Sequence, residues 1–250
     1  MQNRFWYIII LSFIVGCSTD SVDDTTETAA NNTLLLSEYV EGEDVRIDNV
    51  IACASGSTNP NEVIAYVYPR SGATDIRYFE TENVAADKNE YTNYQEIALP
   101  EGDFFNGYLK TFTRETIAEK WIIVSFRESG QIHLSNPIRL KHQSQNTNFG
   151  NLVDINQSIV GSPVFKWEGL INTLDAIYFQ AVTDASDELL SGTYTFDPEF
   201  QYYELDNVVL NITEETPPDL ISGAAYGFTL MGVSEDNWVN TLIRASFIAE

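Results

Sequence analysis

Residues 121–135 read WIIVSFRESGQIHLS, and this stretch decides the fold class. Trp121–Arg127 is rich in β-branched and aromatic residues, and Ser129-Gly130 supplies turn residues. Gln131–Ser135 then alternates polar with apolar side chains. Such a pattern predicts a β-hairpin with one face buried against a core.

Similar segments lie on both sides of this hairpin, with Gly, Pro, Ser and Asn between them. The further predicted strands are Val45–Ala54, Val63–Tyr68, Tyr108–Phe112, Ile138–Lys141, Pro163–Trp167, Ala176–Val182, Gly192–Phe196, Val208–Thr213, Tyr226–Met231 and Thr241–Phe247. Glu115–Glu119 is expected to form a single helical turn. Short strands at close intervals, with almost no helical period, predict an all-β protein built from antiparallel sandwiches.

A polar stretch divides the predicted strands into two sets. Residues 142–151, HQSQNTNFGN, are rich in Asn and Gln and poor in core residues, which is typical of a boundary loop. We therefore interpret residues 34–142 as one β-sandwich domain and residues 151–250 as a second.

The second set of strands resembles a fibronectin type III or related immunoglobulin-like domain. The resemblance is carried by Pro163-x-Phe165-x-Trp167 and by the late Tyr226-x-Phe228-x-Leu230. The first set is similar in Trp121–Phe126 followed by Ser135–Ile138. This resemblance implies two sandwich domains in which Trp121 and Trp167 belong to the cores. It transfers no activity, because the fold hosts many functions.

The N-terminus, MQNRFWYIIILSFIVGCSTD, has one charged residue, Arg4, before an apolar run. That run has the length of a signal-peptide core and is too short to span a bilayer, which takes about 20 apolar residues. Val15-Gly16-Cys17 resembles a lipobox. Residues 1–16 are therefore interpreted as a bacterial lipoprotein signal peptide and Cys17 as the lipidated first residue of the mature chain. The alternative is an ordinary signal or an uncleaved anchor with a coincidental cysteine.

Residues 17–33 are almost free of apolar side chains, so we expect a flexible acidic tether. Asp20, Asp23 and Asp24 resemble the export signal of surface lipoproteins in Bacteroidota. The resemblance implies an outer-membrane protein that is anchored by its lipid and exposed at the cell surface. Retention on the periplasmic side is the alternative.

The formal net charge of −24 argues against nucleic acid as a partner, because phosphate backbones are bound by clustered Lys and Arg. Cys53 is the second of the two cysteines and lies in the apolar run Val50–Ala54. If Cys17 carries lipid, no intrachain disulfide can form. We interpret Cys53 as a small buried apolar residue.

The sequence contains no recognisable catalytic motif, so no catalytic residue, cofactor or metal ligand is assigned. The two histidines, His133 and His142, lack further ligands at metal-binding spacing, and His133 is expected to face solvent. Residues 234–237 could offer oxygen ligands to calcium but lack the spacing of a binding loop. Carboxylates suited to glycoside hydrolysis occur only in turn-like segments: Asp184, Asp187, Glu188, Glu214 and Glu215.

Exposed aromatic rings remain as the candidate binding groups. Trp238 follows an acidic loop between the last two predicted strands, and Tyr202 and Tyr203 are adjacent in a strand-like segment, so their rings face opposite sides. Loops at the end of a sandwich often carry binding residues. These three residues are the predicted ligand-binding positions, with a sugar as one ligand.

The expected function is a lipid-anchored, non-enzymatic module that binds a glycan or an envelope protein. The alternative is a structural accessory subunit of a glycan-uptake or secretion complex. A hydrolase that uses carboxylates is disfavoured, since no converging motif is present.

Overall fold

The structure, a computed structural model, describes residues 33–250 except Ile171, Tyr203, Leu205, Glu214 and Glu215. The predicted signal peptide, Cys17 and the tether up to residue 32 lie outside the described residues. The described part of the chain contains no helix that is long and apolar enough to span a membrane.

Strands dominate the described residues. The helical elements are the α-helix α1 (Leu36–Tyr39) and two 3₁₀ helices, Tyr91–Asn93 and Glu168–Leu170. The strands before residue 142 are β1 (Val45–Val50), β2 (Ala52–Gly56), β3 (Glu62–Val67), β4 (Thr74–Glu80), β5 (Gln95–Glu96), β6 (Glu101–Phe104), β7 (Leu109–Glu115), β8 (Trp121–Glu128), β9 (Gln131–Ser135) and β10 (Ile138–Arg139). Those after it are β11 (Asn148–Gly150), β12 (Asp154–Asn156), β13 (Val164–Lys166), β14 (Ile177–Asp184), β15 (Leu189–Thr195), β16 (Glu199–Gln201), β17 (Val208–Asn211), β18 (Ala225–Val233) and β19 (Val239–Ile248).

The strands form four sheets, two in each half of the chain. In the first half, sheet A has the order β1-β9-β8-β4-β5, with β10 on β8, and sheet B has the order β2-β3-β7-β6. In the second half, sheet C has the order β11-β19-β18-β14-β15-β17, and sheet D has the order β12-β13-β16. Each pair of sheets encloses a core, so the predicted all-β fold with two sandwiches of the immunoglobulin-like kind is confirmed.

Most strand pairings among the described residues are antiparallel, but two are parallel. The edge strands β1 and β11 run parallel to β9 and β19, respectively. The segment Val45–Ala54 was predicted as one strand, whereas the chain leaves sheet A after Val50 and enters sheet B at Ala52. The helical turn predicted at Glu115–Glu119 is absent from the described residues; Glu115 ends β7 and a bend follows.

Four apolar clusters hold the layers together. One lies between sheets A and B, and a second, with a fully buried Trp167 as predicted, lies between sheets C and D. A third lies under α1 on the outer face of sheet A, where Trp121 is only half-buried. The fourth joins the outer faces of sheets B and C through Tyr66, Phe179 and Met231. Residues 33–250 accordingly form one compact unit.

Candidate functional site

Trp238 does not provide an exposed ring. It is fully buried in the apolar core between sheets A and B, and its Nε1 donates to the Gln145 carbonyl oxygen at 2.9 Å. The turn before it is closed by a hydrogen bond from the Ser234 N–H to the Trp238 carbonyl oxygen at 2.9 Å. The predicted exposure of Trp238 is therefore wrong.

Tyr202 is also buried, and Tyr203 lies outside the described residues. The Tyr202 ring is 0% exposed in the core between sheets C and D, and its hydroxyl donates to the Pro218 carbonyl oxygen at 2.8 Å. The prediction that Tyr202 belongs to an exposed binding surface is therefore wrong.

The candidate carboxylates make local structural contacts. Asp184 accepts hydrogen bonds from the backbone of Ser186 and Glu188, while Asp187 pairs with Arg244 at 2.8 Å. Glu188 accepts a hydrogen bond from Asn106. Glu214 and Glu215 lie outside the described residues. None of the three described acids lines the cleft that is described next.

A cleft of about 480 Å³ opens where the two sandwiches meet. One wall contains Ile51, which connects β1 to β2, and Cys53 of β2. The opposite wall comes from sheet C and contributes Ile177, Tyr194 and Val233. Residues distant in the sequence converge here because sheets B and C pack face to face.

The apolar part of the cleft extends from a buried floor to an exposed rim. Val233 at the floor is 4% exposed, whereas Val209 and Leu210 at the rim are 49% and 44% exposed. Both rim residues belong to β17, the terminal strand of sheet C among the described residues. The register of β17 against β15 shifts between Tyr194 and Thr195, so that both consecutive side chains, Val209 and Leu210, line the cleft.

The polar part of the cleft consists mainly of amides. Asn49, Asn136 and Asn237 line it together with Asp48. Within the described residues, the side-chain amides of Asn136 and Asn237 form no hydrogen bond, while Asn49 Oδ1 accepts from Arg70 at 3.0 Å. Asp48 takes part in no ion pair among the residues described. Several hydrogen-bonding groups are thus available to a ligand.

A polar network behind Asn49 fixes Arg70 at the edge of the cleft. The guanidinium donates to Glu128 Oε2 at 2.8 and 3.2 Å, and it lies over the Phe126 ring at 5.2 Å. It also donates to the Asn49 carbonyl oxygen at 3.2 Å. Glu128 neutralises Arg70, so this cation offers little net charge to a ligand.

His133 belongs to the same network and is 5% exposed, so the prediction that it faces solvent is wrong. Its strand lies between β1 and β8, and both sheet faces are covered there. Nδ1 lies 2.7 Å from Asn49 Oδ1, while the buried Nε2 makes no hydrogen bond within the described residues and lies 3.6 Å from Glu128. His133 therefore positions Asn49.

Cys53 packs against the apolar cluster between sheets B and C, but it is only half-buried and lines the cleft, so it is less enclosed than the sequence interpretation expected. Burial raises the pKa of its thiol to about 12, so the sulfur stays protonated and weakly nucleophilic at neutral pH. The Tyr194 hydroxyl beside it also has a strongly raised pKa, first through burial and then through Cys53.

A second, polar depression of about 700 Å³ lies beside the end of β4. Buried Glu80 at its base pairs with Arg114 at 2.9 Å and with Lys120. The surrounding loop uses its own polar groups: Thr81 donates to the Asn83 carbonyl oxygen and Asn93 to that of Asp87. The lining of this depression is mainly polar, so it lacks the aliphatic wall of the cleft.

In the loop of residues 234–237, Asp236 pairs with the Lys141 ammonium at 2.8 Å. The part of the chain that the structure describes holds no group of three or more His, Cys, Asp or Glu side chains placed to bind a metal. The cleft was not predicted from the sequence. Its only local signal is an Asn at or just beyond the end of a strand: Asn49 is the last but one residue of β1, and Asn136 follows β9.

No protein-family profile matches the sequence, and no curated protein matches it either. Among solved structures, the chain is similar to the chicken CNTN1 FN1–FN3 domains, with 8% sequence identity and a TM-score of 0.30. The match covers 84% of this chain and 69% of that chain. The fold class assigned above therefore rests on the strand order of the two sandwiches.

Proposed function

We propose that this chain is a lipid-anchored protein of the outer membrane, exposed at the cell surface, that acts as a non-catalytic binding module. The cleft between the two sandwiches is its ligand site. The observation that carries this proposal is the convergence of an aliphatic wall and unpaired amides at one inter-sheet cleft, as small ligand sites require. The lipobox-like Val15-Gly16-Cys17 and the acidic residues after it support the anchor and its location.

The chemistry of the cleft favours binding over catalysis. A nucleophile would need a lowered pKa or an adjacent base, whereas burial raises the pKa of Cys53. His133, the nearest histidine to the network, is held behind Asn49 and does not line the cleft. Asp48 is the single carboxylate among the described residues that line the cleft, and glycoside hydrolysis requires two.

The anchor is tested by Cys17→Ser, with Cys53→Ser as the matched control. Cells labelled with palmitate should incorporate label into the wild-type chain and into Cys53→Ser, and Cys17→Ser should be unlabelled and released from the membrane fraction. Labelling that survives Cys17→Ser would contradict the anchor. Protease added to intact cells should digest the wild-type chain, and complete protection would contradict surface exposure.

The binding role is tested by probing the purified full-length chain on glycan and peptide arrays. Val209→Glu places a charge on the exposed rim and should abolish the signal. Ile159→Glu changes a residue that is 52% exposed and does not line the cleft, so it should leave the signal unchanged. A signal equal in all three proteins would show that the ligand binds elsewhere.

A structural accessory subunit is the second candidate, favoured by an apolar patch at one end of the second sandwich. Val160 and Ile221 there are 79% and 70% exposed, and Ile248 is 56% exposed. Hydrogen bonds connect these segments: the Gln157 side chain donates to the Ile248 carbonyl oxygen at 2.9 Å, and the Gly223 N–H donates to the Ala249 carbonyl oxygen at 2.7 Å. Val160→Glu should release an envelope partner in affinity purification if this role holds, while cleft variants should retain it.

A further inference from the structure

We infer that the cleft binds an extended peptide segment that inserts an aliphatic side chain and carries an adjacent basic residue. This inference rests on the proposed function and names its ligand class. Four features of the cleft support it: the aliphatic wall, the free amides, the edge strand at the rim and the local charge.

The wall suits an aliphatic side chain better than a sugar ring. Its side chains are mainly branched and apolar, as in Ile177, Val209 and Leu210. Sugar sites use exposed aromatic faces as platforms, and Tyr194 is the only aromatic residue among the described residues that line the cleft. Its ring packs against Phe179 with centroids 4.9 Å apart and is not free to act as a platform.

The polar side offers groups that match a peptide backbone. An asparagine amide presents one oxygen acceptor and an NH₂ donor, which is the complement of a peptide C=O and N–H. The amides of Asn136 and Asn237 are unpaired within the described part of the chain. A backbone with regularly spaced donors and acceptors can pair with both, whereas a purely apolar ligand would leave them unsatisfied.

The rim strand favours an extended ligand. As the terminal strand of sheet C among the described residues, β17 presents one backbone edge that no strand of this sheet pairs with. An extended peptide can add to such an edge, and its alternate side chains then face a neighbouring pocket. Because Leu210 lies both on β17 and in the cleft wall, an added strand would direct every second side chain towards the cleft.

The local charge selects a basic residue beside the aliphatic one. Asp48 at the rim is exposed and forms no ion pair with any described residue, whereas the nearby Arg70 is neutralised by Glu128 at 2.8 Å. The rim therefore carries one uncompensated negative charge on a chain whose formal net charge is −24. Lys or Arg in the ligand would be attracted and Asp or Glu repelled.

The cleft volume sets the size of the bound portion. A volume of about 480 Å³ accommodates one or two side chains with their backbone. It falls within the range of about 300–1,000 Å³ that is usual for ligand pockets. The recognised unit is thus a short segment, and a folded partner would present it from a loop or a terminus.

The test uses the purified full-length chain in detergent and a pooled library of acetylated, amidated random heptapeptides. Captured peptides are identified by mass spectrometry, and the tightest are measured by fluorescence anisotropy. The wild-type chain should enrich peptides with Val, Ile or Leu next to Lys or Arg and deplete those with Asp or Glu. Capture without this composition would overturn the inference.

Three variants assign the effect to the cleft. Leu210→Asp should weaken the selected peptides by about tenfold or more, as expected for an anchor residue. Asp48→Asn, which tolerates the positive φ of 53° at this position, should weaken the basic peptides by about fivefold and leave neutral ones unchanged. Leu152→Asp alters a residue that is 77% exposed outside the cleft and should have no effect. Equal affinities for wild type and Leu210→Asp would overturn the inference.

A parallel glycan array separates this inference from the proposed function. A glycan whose binding is lost in Leu210→Asp would overturn the peptide ligand and leave the binding module intact. Absence of binding to both peptides and glycans would overturn both. Palmitate labelling of Cys17 is independent of either result.

Discussion

The two sandwiches share the arrangement of eight described strands and differ in β6, β10 and β17 and in how their cores are completed. Along the chain, β1–β5 correspond to β11–β15, β7 corresponds to β16, and β8 and β9 correspond to β18 and β19. In both sandwiches the first strand lies at a sheet edge and runs parallel to the last strand, β9 or β19. Among the described residues, the core between sheets C and D contains only residues of the second half. The core between sheets A and B also contains Trp238, which comes from the second half.

Because Trp238 completes the core of the first sandwich, the two halves are not equivalent domains. The turn before β19 reaches the first sandwich, where the Ala54 N–H donates to the Asn237 carbonyl oxygen at 3.0 Å. The two halves are further joined by Tyr68 and Tyr108, whose hydroxyls donate to the Ile212 carbonyl oxygen at 3.1 and 2.7 Å. The first sandwich therefore depends on the second, and the cleft exists only because both are packed together.

The largest expected effect follows from removing the shared tryptophan. Trp238→Ala should lower the free energy of unfolding by about 4 kcal/mol, because a large cavity opens in the first core and the hydrogen bond to Gln145 is lost. Denaturant titration measures the total change. Amide hydrogen exchange should show that protection falls in β3 and β8 and persists in sheet D.

Trp167→Ala is the matched control in the second sandwich. It removes the same side chain from a core that belongs to one half, and Trp167 is 1% exposed. Because a destabilised second sandwich withdraws Trp238 as well, protection should fall in both halves. Equal hydrogen-exchange patterns for the two variants would contradict the proposal that the first sandwich depends on the second but not the reverse.

The next effect concerns a buried ion cluster that only the first sandwich contains among the described residues. Burial opposes ionisation of Glu80, but hydrogen bonds from Arg114 and Lys120 outweigh it and lower the pKa of this carboxyl. Glu80→Gln leaves two cations without their partner, so we expect a loss of about 3 kcal/mol at neutral pH.

The pH dependence of Glu80 has a definite sign. Since the folded-state pKa lies below the ordinary value of 4.5, the carboxylate stabilises the fold above that pH, and this contribution is lost as the pH falls through the lowered pKa. Between about pH 5 and about pH 3, wild type should lose more stability than Glu80→Gln in denaturant titrations. Parallel curves would show that Glu80 does not titrate in this range.

Most of the longer strands could be predicted from the sequence, because alternation and turn residues are local signals. The strand break at Ile51 could not, since Val45–Ala54 is continuous in pattern and the change of sheet depends on which strands lie alongside. Six of the described strands were missed: β4, β5, β6, β11, β12 and β16. The start of β4 is exposed and polar, which hides its alternation. The other five have four residues or fewer, and β11 lies within residues 142–151, so the interpretation of that whole stretch as a boundary loop is wrong.

The candidate site was less accessible to sequence reasoning than the strands. Trp238 follows acidic residues in a turn, which predicts exposure, and only a contact with the other half of the chain buries it. The cleft unites Asn49, Tyr194 and Asn237, whose separation in sequence leaves no local pattern. A cleft that forms between two sandwiches can be predicted only when the packing of the sandwiches is known.

The smallest expected effect compares one glycine in each sandwich. A methyl group on Gly192 would lie 2.9 Å from Ile212 Cγ1 and 3.3 Å from Leu189 Cδ2, both in the packed layer between sheets B and C. Gly192→Ala should therefore lower the free energy of unfolding by about 1–2 kcal/mol through overpacking.

On Gly102 the methyl group would meet mainly the Thr111 hydroxyl, at 2.5 Å, and that group can move by rotation about χ1. Gly102→Ala should change the unfolding free energy by less than about 1 kcal/mol, because the alanine also reduces the freedom of the unfolded chain. Denaturant midpoints measured side by side decide the order, and a larger loss at Gly102 would mean that the first sandwich is packed more tightly there than the interface it shares with the second.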